Sequence, residues 1–83
     1  MKDVLISNNP KLRKTLLDLY GEKERLVRDL ERKQFTSLSR SRTTQLEKEG
    51  KHPKRRILGQ NSVAWLLSDL LIFINKDNPG LEA

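Results

Sequence analysis

One stretch of 21 residues, from Ser39 to Gly59, concentrates side chains that can bind a charged or hydrogen-bonding partner, and it reads SRSRTTQLEKEGKHPKRRILG. It holds seven Lys and Arg residues and only two Glu, so +5 of the net charge of +6 is concentrated there. Guanidinium and ammonium groups bind anions, and Arg, Gln, Ser and Thr side chains can hydrogen-bond base edges. The stretch therefore indicates a polyanionic partner rather than a bond-making reaction.

Catalysis has little support in the composition. Among its 83 residues the chain has no Cys and a single His, His52. Thiolate nucleophiles, disulfides and His pairs for a metal or a triad are therefore excluded, and Ser39 has no base to activate it. A domain of this size also has little room for a substrate pocket. The sequence predicts a protein that is not an enzyme and uses no cofactor or metal.

The apolar segments do not indicate a membrane protein or a secreted one. The N-terminal residues MKDVLISNNPKL contain an acidic residue and only a short apolar run, unlike a signal or transit peptide. The longest apolar run, VAWLLSDLLIFI, is interrupted by Ser68 and Asp69 and falls short of the roughly 20 residues that span a bilayer. Together with the absence of Cys, this predicts a soluble cytoplasmic protein that is not associated with a membrane.

Two helices are predicted before the basic stretch. Asn9 and Pro10 suit the start of the first, which should cover about residues 10–20 and end at Gly21. Its apolar stripe consists of Leu12, Leu16, Leu19 and Tyr20. This stripe either packs on the rest of the domain or forms a dimer surface.

The second helix should cover about residues 22–34 and is only weakly amphipathic. We expect Leu26, Val27 and Leu30 to face inward. The expected ion pairs on its wet face join Glu24 to Arg28 and Asp29 to Lys33.

A polar helix, a hairpin and a short apolar helix should follow. Ser39 is placed to cap a helix over about residues 40–49 that ends at Gly50. Pro53 prevents its continuation, and RRIL, GQNS and VAWL then read as strand, turn and strand. Ser68 and Asp69 should cap the final helix, which is either sandwiched in the domain or exposes an apolar patch. Residues 77–83 should form a loose tail.

This order of elements is that of a winged helix-turn-helix, mainly α with a small β-hairpin. We expect a helical extension over residues 1–21, a DNA-binding domain over 22–76 and a tail over 77–83. Trp65 should pack in the core of the hairpin, since no second aromatic lies near it for base stacking.

The helix over residues 40–49 would then enter the major groove of duplex DNA. The predicted base-reading residues are Arg40, Ser41, Thr44, Gln45 and Lys48. The predicted phosphate-binding residues are Arg42, Lys51, His52, Lys54, Arg55 and Arg56. Gln60 and Asn61, in the wing at about residues 59–62, would reach the flanking DNA. Alternatively, the polar helix face and the basic segment are ordinary solvated surface.

Residues 37–74 resemble the AlpA family of small phage and prophage DNA-binding regulators, relatives of the MerR-type and excisionase-like winged helix. The matching positions are Leu38, Ser39, Arg40, Ser41, Glu49, Gly50, Pro53, Lys54, Gly59, Val63, Ala64, Trp65 and Ser68. The chain departs from the family pattern at Ser37, often Gly, and at His52, usually an aromatic residue. It departs also at Thr43 and Thr44, which stand for the usual Ile and Tyr, so we expect a weaker anchor for this helix and a different base preference.

The resemblance implies DNA binding at a mobile element. It implies an excisionase, which is a recombination directionality factor acting with an integrase of the tyrosine recombinase class, or a transcriptional regulator, and possible self-association on DNA. A different hypothesis is an adaptor that engages an integrase or a host protein and has little DNA affinity of its own. Binding to single-stranded RNA is a third hypothesis, which the scarcity of aromatic residues disfavours.

Overall fold

The computed structural model describes residues 9–77, which form four helices and a three-stranded antiparallel sheet. The elements are α1 (Pro10–Leu19), β1 (Leu26–Val27), α2 (Asp29–Thr36), α3 (Arg40–Lys48), β2 (Arg56–Gly59), β3 (Ser62–Leu66) and α4 (Leu67–Ile74). The strand order is β1-β3-β2, so β3 lies in the centre. Except for Asp77, the predicted tail lies outside the described residues, as do residues 1–8 of the predicted extension.

Helix α1 begins and ends as its sequence predicts. The Asn9 side chain accepts a hydrogen bond from the amide of Leu12 at 3.1 Å, Pro10 occupies the first turn, and Gly21 follows the helix with a φ of 65°. Leu16 is fully buried, whereas Leu19 and Tyr20 remain exposed, so only part of the predicted stripe packs. The helix packs against α4.

The predicted helix over residues 22–34 is wrong in its first half. Residues 22–28 are not helical and contain only the short strand β1, because this segment makes long-range contacts that a helix could not make. Val27 pairs with Trp65 in the sheet, and the Arg25 carbonyl accepts from the amide of Leu67 at 2.8 Å. The Glu24 carboxylate accepts from both the amide and the hydroxyl of Ser68, at 3.0 and 2.6 Å. These contacts outweigh the local helical preference of the segment.

The inward face predicted for this segment is corrected accordingly. Val27 is buried, but Leu26 is 42% exposed on the edge strand and Leu30 is 77% exposed on α2. Asp29 is bonded to Arg32 and Arg40 rather than to Lys33.

The segment α2-turn-α3 followed by the β2-β3 hairpin forms a winged helix-turn-helix, which confirms the predicted fold class. Ser37 ends α2 in the left-handed conformation with a φ of 61°. The Ser39 hydroxyl caps α3 by accepting from the amide of Arg42 at 3.1 Å. Gly50, with a φ of 75°, follows α3. The turn geometry therefore depends on residues that the sequence identifies locally.

The core lies between α1, α4 and the sheet, with α4 sandwiched rather than exposed. Its buried members are Leu16, Val27, Trp65, Leu67, Leu70, Leu71 and Ile72. Helix α4 begins at Leu67, so Ser68 and Asp69 lie inside its first turn and do not cap it as predicted. Their polar atoms are satisfied by Glu24 and by Arg13, whose guanidinium lies 2.7 Å from the Asp69 carboxylate. Within residues 9–77, none of the helices combines the length and apolar character needed to cross a bilayer.

Candidate nucleic-acid interface

Helix α3 presents a continuous polar face to solvent. Ser41, Gln45 and Lys48 are exposed and recur at the spacing that places side chains on one side of a helix. On the opposite side Thr43 is fully buried. At nine residues the helix is about 14 Å long, a size that fits the major groove.

A buried arginine fixes α3 against α2. The guanidinium of Arg32, which has no exposed surface, donates through Nη1 to the Leu38 carbonyl at 2.7 Å and to Thr43 Oγ1 at 2.8 Å. Nε and Nη2 donate to the Asp29 carboxylate at 3.1 and 3.0 Å. Thr43 thus anchors α3 through a hydrogen bond. Neither the burial of Arg32 nor its partners can be seen in the sequence pattern.

A second polar cluster joins the end of α3 to the hairpin. The Glu47 carboxylate accepts from Trp65 Nε1 at 2.8 Å and from Arg55 Nε at 2.9 Å. Arg55 also donates to Thr44 Oγ1 at 3.1 Å, and its guanidinium lies 5.6 Å from the Trp65 ring centroid. Arg55 is therefore compensated by Glu47 and half-buried, and Thr44 already has a partner within the protein. These two predicted DNA contacts are less available than the sequence indicates.

His52 belongs to the core and not to the basic surface. Its ring is fully buried, 4.7 Å from the Phe73 ring and 6.3 Å from the Trp65 ring between centroids. Nδ1 lies 2.8 Å from the Pro53 carbonyl, which can only accept, so Nδ1 carries the proton. Burial lowers the pKa of His52 below its ordinary value of 6.5. The predicted phosphate contact of His52 is therefore wrong.

The remaining basic side chains of this region are exposed. They are Arg40, Arg42, Lys48, Lys51, Lys54 and Arg56. Arg40 lies 3.5 Å from Asp29, a long contact, and Lys51 lies 3.6 Å from Glu49. Glu49 also accepts from Gln45 at 3.3 Å. Residues 39–59 hold seven Lys and Arg against only Glu47 and Glu49, so the surface of α3, residues 51–55 and β2 keeps a strong positive charge.

The wing combines a polar tip with an apolar strand. Gln60 and Asn61 are exposed at the tip, as predicted, and Asn61 has a φ of 62°. On β2, Ile57 is 78% exposed and Leu58 is 49% exposed, a feature that the sequence analysis did not identify. The available signal was a pair of large aliphatic residues directly after Arg56 in a charged run. Over residues 9–77, no three His, Asp or Glu side chains group together to hold a metal ion.

A family model described as prophage CP4-57 regulatory protein (AlpA) matches residues 25–76. The chain belongs to the AlpA family. The match runs from the residue before β1 to two residues after α4 and so contains the whole winged helix-turn-helix, while α1 precedes it. Comparison with curated proteins and with solved structures gave no match. The polar clusters around Arg32 and Glu47 both lie within the part that matches the AlpA family.

Proposed function

We propose that this AlpA-family chain binds double-stranded DNA in a sequence-specific manner, with α3 in the major groove and the wing on the flank. The observation that supports this most strongly is the outward face of α3 bordered by exposed cations, while the carboxylate of Glu47 is directed inward. The polar side chains of such a helix can hydrogen-bond base edges, and the surrounding cations can bind the neighbouring phosphates. The rigid attachment of the helix keeps both sets of contacts in register.

The candidate contacts divide by their position on this surface. Arg40, Ser41, Gln45 and Lys48 are the proposed base-reading residues, with Thr44 reaching DNA only if Arg55 releases it. Arg42, Lys51, Lys54 and Arg56 are proposed to contact phosphates, and Gln60 and Asn61 the adjacent groove. We further infer that residues 22–76 form the DNA-binding domain and that residues 1–21 extend it.

The proposed biological role is that of an excisionase, a transcriptional regulator, or both, at a prophage or integrative element. The regulatory description of the AlpA family supports this, and an integrase of the tyrosine recombinase class would be the partner in excision. Selecting bound sequences from a duplex library, followed by an excision assay with the integrase, distinguishes the roles. Clustered sites beside an attachment site support excision, and a promoter site alone supports regulation. In either role the protein would reside on the nucleoid.

An adaptor function is the second candidate, because α1 ends with exposed apolar side chains. Leu19 and Tyr20 are both exposed there. They are separated in the sequence from the basic stretch of residues 39–59. Such a protein would engage an integrase or a host factor with little DNA affinity. A gel shift with random duplex at low salt tests this, because complete absence of a shift supports the adaptor.

The salt dependence of duplex binding tests the proposed phosphate contacts. Replacing Arg56 by Ala should weaken binding to all duplexes similarly and reduce the slope of log K against log salt by about 0.9, since one phosphate contact is lost. Lys14→Ala, at an exposed cation on α1, is the matched control and should leave the slope unchanged. Arg55→Ala should change the slope less than Arg56→Ala, because Glu47 compensates Arg55. Equal slopes for the Arg56 and Lys14 variants would contradict the proposed interface.

A further inference from the structure

Strand β2 leaves two large aliphatic side chains in solvent at the edge of the sheet. All four of its residues are exposed, including Ile57 at 78% and Leu58 at 49%. Ile57 pairs with Val63 of β3, and Val63 packs partly against the core. Ile57 therefore contributes a cross-strand contact with Val63, while most of its side chain stays in solvent.

The surroundings of this aliphatic pair are cationic or neutral. Lys54 and Arg56 precede it and are exposed, and the polar tip of the wing follows. No Asp or Glu occurs in the sequence from Lys51 to Ser68. A second copy of the chain pairing edge to edge along β2 would bring like charges together, which is unfavourable. The charge instead complements a polyanion that can accept both cationic and aliphatic groups.

We propose that Ile57 is an apolar wedge that the wing inserts into the minor groove beside the α3 site. This rests on the proposed duplex binding and specifies how the wing acts. Aliphatic side chains between neighbouring base pairs unstack them and bend the duplex toward the major groove. Lys54 and Arg56 hold the adjacent phosphates, and flexible pyrimidine–purine steps are favoured at the insertion point. The wing thus selects DNA by its deformability as well as bending it.

The bend angle of the bound duplex tests the wedge, measured by energy transfer between dyes at the two ends of a selected site. Replacing Ile57 by Ser should lower affinity about tenfold and remove most of the bend, because the buried aliphatic surface is lost. The salt slope should not change, since no phosphate contact is involved. Leu30→Ser is the matched control, because Leu30 is 77% exposed on α2 and away from the wing. It should bind and bend as the unaltered protein does.

The remaining outcomes separate failure of the wedge from failure of duplex binding. Unaltered affinity and bend in the Ile57→Ser variant would overturn the wedge and leave DNA binding intact. Absence of duplex binding by the unaltered protein would overturn both. Sedimentation of the protein without DNA tests whether a second copy of the chain covers β2 instead. A dimer that dissociates on Ile57→Ser would assign the surface to that second copy and overturn the wedge.

Discussion

Ser37 shows how one residue can carry strain in a functional turn. It is one of two non-Gly residues with positive φ among those described, and its amide donates to the Lys33 carbonyl at 2.7 Å. A side chain in the left-handed region costs roughly 1–2 kcal/mol, which Gly avoids at a cost in chain entropy of about 0.5–1 kcal/mol. Gly at position 37 would therefore relieve this strain.

Replacing Ser37 by Gly should therefore raise the free energy of unfolding by about 0.5 kcal/mol and the melting temperature by roughly 2–4 °C. Urea and thermal unfolding followed by circular dichroism measure this. Ser41→Gly is the control, because Ser41 is exposed inside α3 and Gly there should destabilise by a few tenths of a kcal/mol. A loss of stability in the Ser37 variant would show that the turn is not strained.

At the same scale, Arg40 is the exposed base-reading candidate whose substitution is easiest to interpret. It makes only a long contact with Asp29, so removing it should leave the fold intact. Arg40→Ala should reduce discrimination between the selected site and its variants by about 1–3 kcal/mol at one base pair, as expected for a lost base contact. Competition binding with single-base variants measures this. A uniform loss across all sequences would instead assign Arg40 to a phosphate.

At the scale of elements, the position of α3 depends on Arg32. Its guanidinium bonds α2, the turn and α3 together and lies 5.5 Å from the Trp65 ring centroid. Buried hydrogen bonds from Arg32 therefore connect α2 and α3, which have little apolar packing between them. A helix held in this way presents its outer face at a fixed angle to the wing.

Replacing Arg32 by Met should destabilise the protein by about 3 kcal/mol or more, because Asp29, Thr43 and the Leu38 carbonyl lose their donor. Chemical unfolding measures the loss. Lys33→Met is the control, since Lys33 is exposed on the same helix and its removal should change stability by less than about 0.5 kcal/mol. Similar stability of the two variants would show that the buried hydrogen bonds of Arg32 are not needed for stability.

At the scale of the whole molecule, His52 lies where α3, the basic segment, β3 and α4 meet. Besides Phe73 and Trp65 it faces Glu47, Arg32 and Arg55, and its Nε2 is buried without a hydrogen-bond partner. Because burial lowers its folded-state pKa, the unfolded chain binds the extra proton first as the pH falls below about 6.5. The free energy of unfolding should thus fall with decreasing pH from that point until the folded-state pKa is reached.

Replacing His52 by Leu should remove this part of the pH dependence below about pH 6.5, whatever its effect on stability at neutral pH. Urea unfolding of both proteins across that range gives the two slopes. The comparison is made within each protein, so an overall loss of stability in the variant does not obscure it. Parallel pH profiles would show that His52 does not titrate on unfolding.

The sequence determined the features that depend on neighbours along the chain. The cap formed by Asn9, the cap formed by Ser39 and the left-handed glycines after α1 and α3 are local, since their partners lie within four residues. The hairpin and the charge of the basic segment are local in the same sense. These features were sufficient to predict the winged helix-turn-helix and the outward face of α3.

The tertiary structure decided what depends on distant partners. Glu24 bonds to Ser68 across 44 positions and Trp65 to Glu47 across 18, and no periodicity in the sequence indicates either pair. Long-range contacts of this kind replaced the first half of the predicted helix after Gly21 with a loop and the short strand β1. They also accompany the burial of His52 and the pairing of Arg55 with Glu47. Burial and pairing depend on which side chains meet in space, so the sequence located the charge but only the fold showed which charged side chains remain exposed.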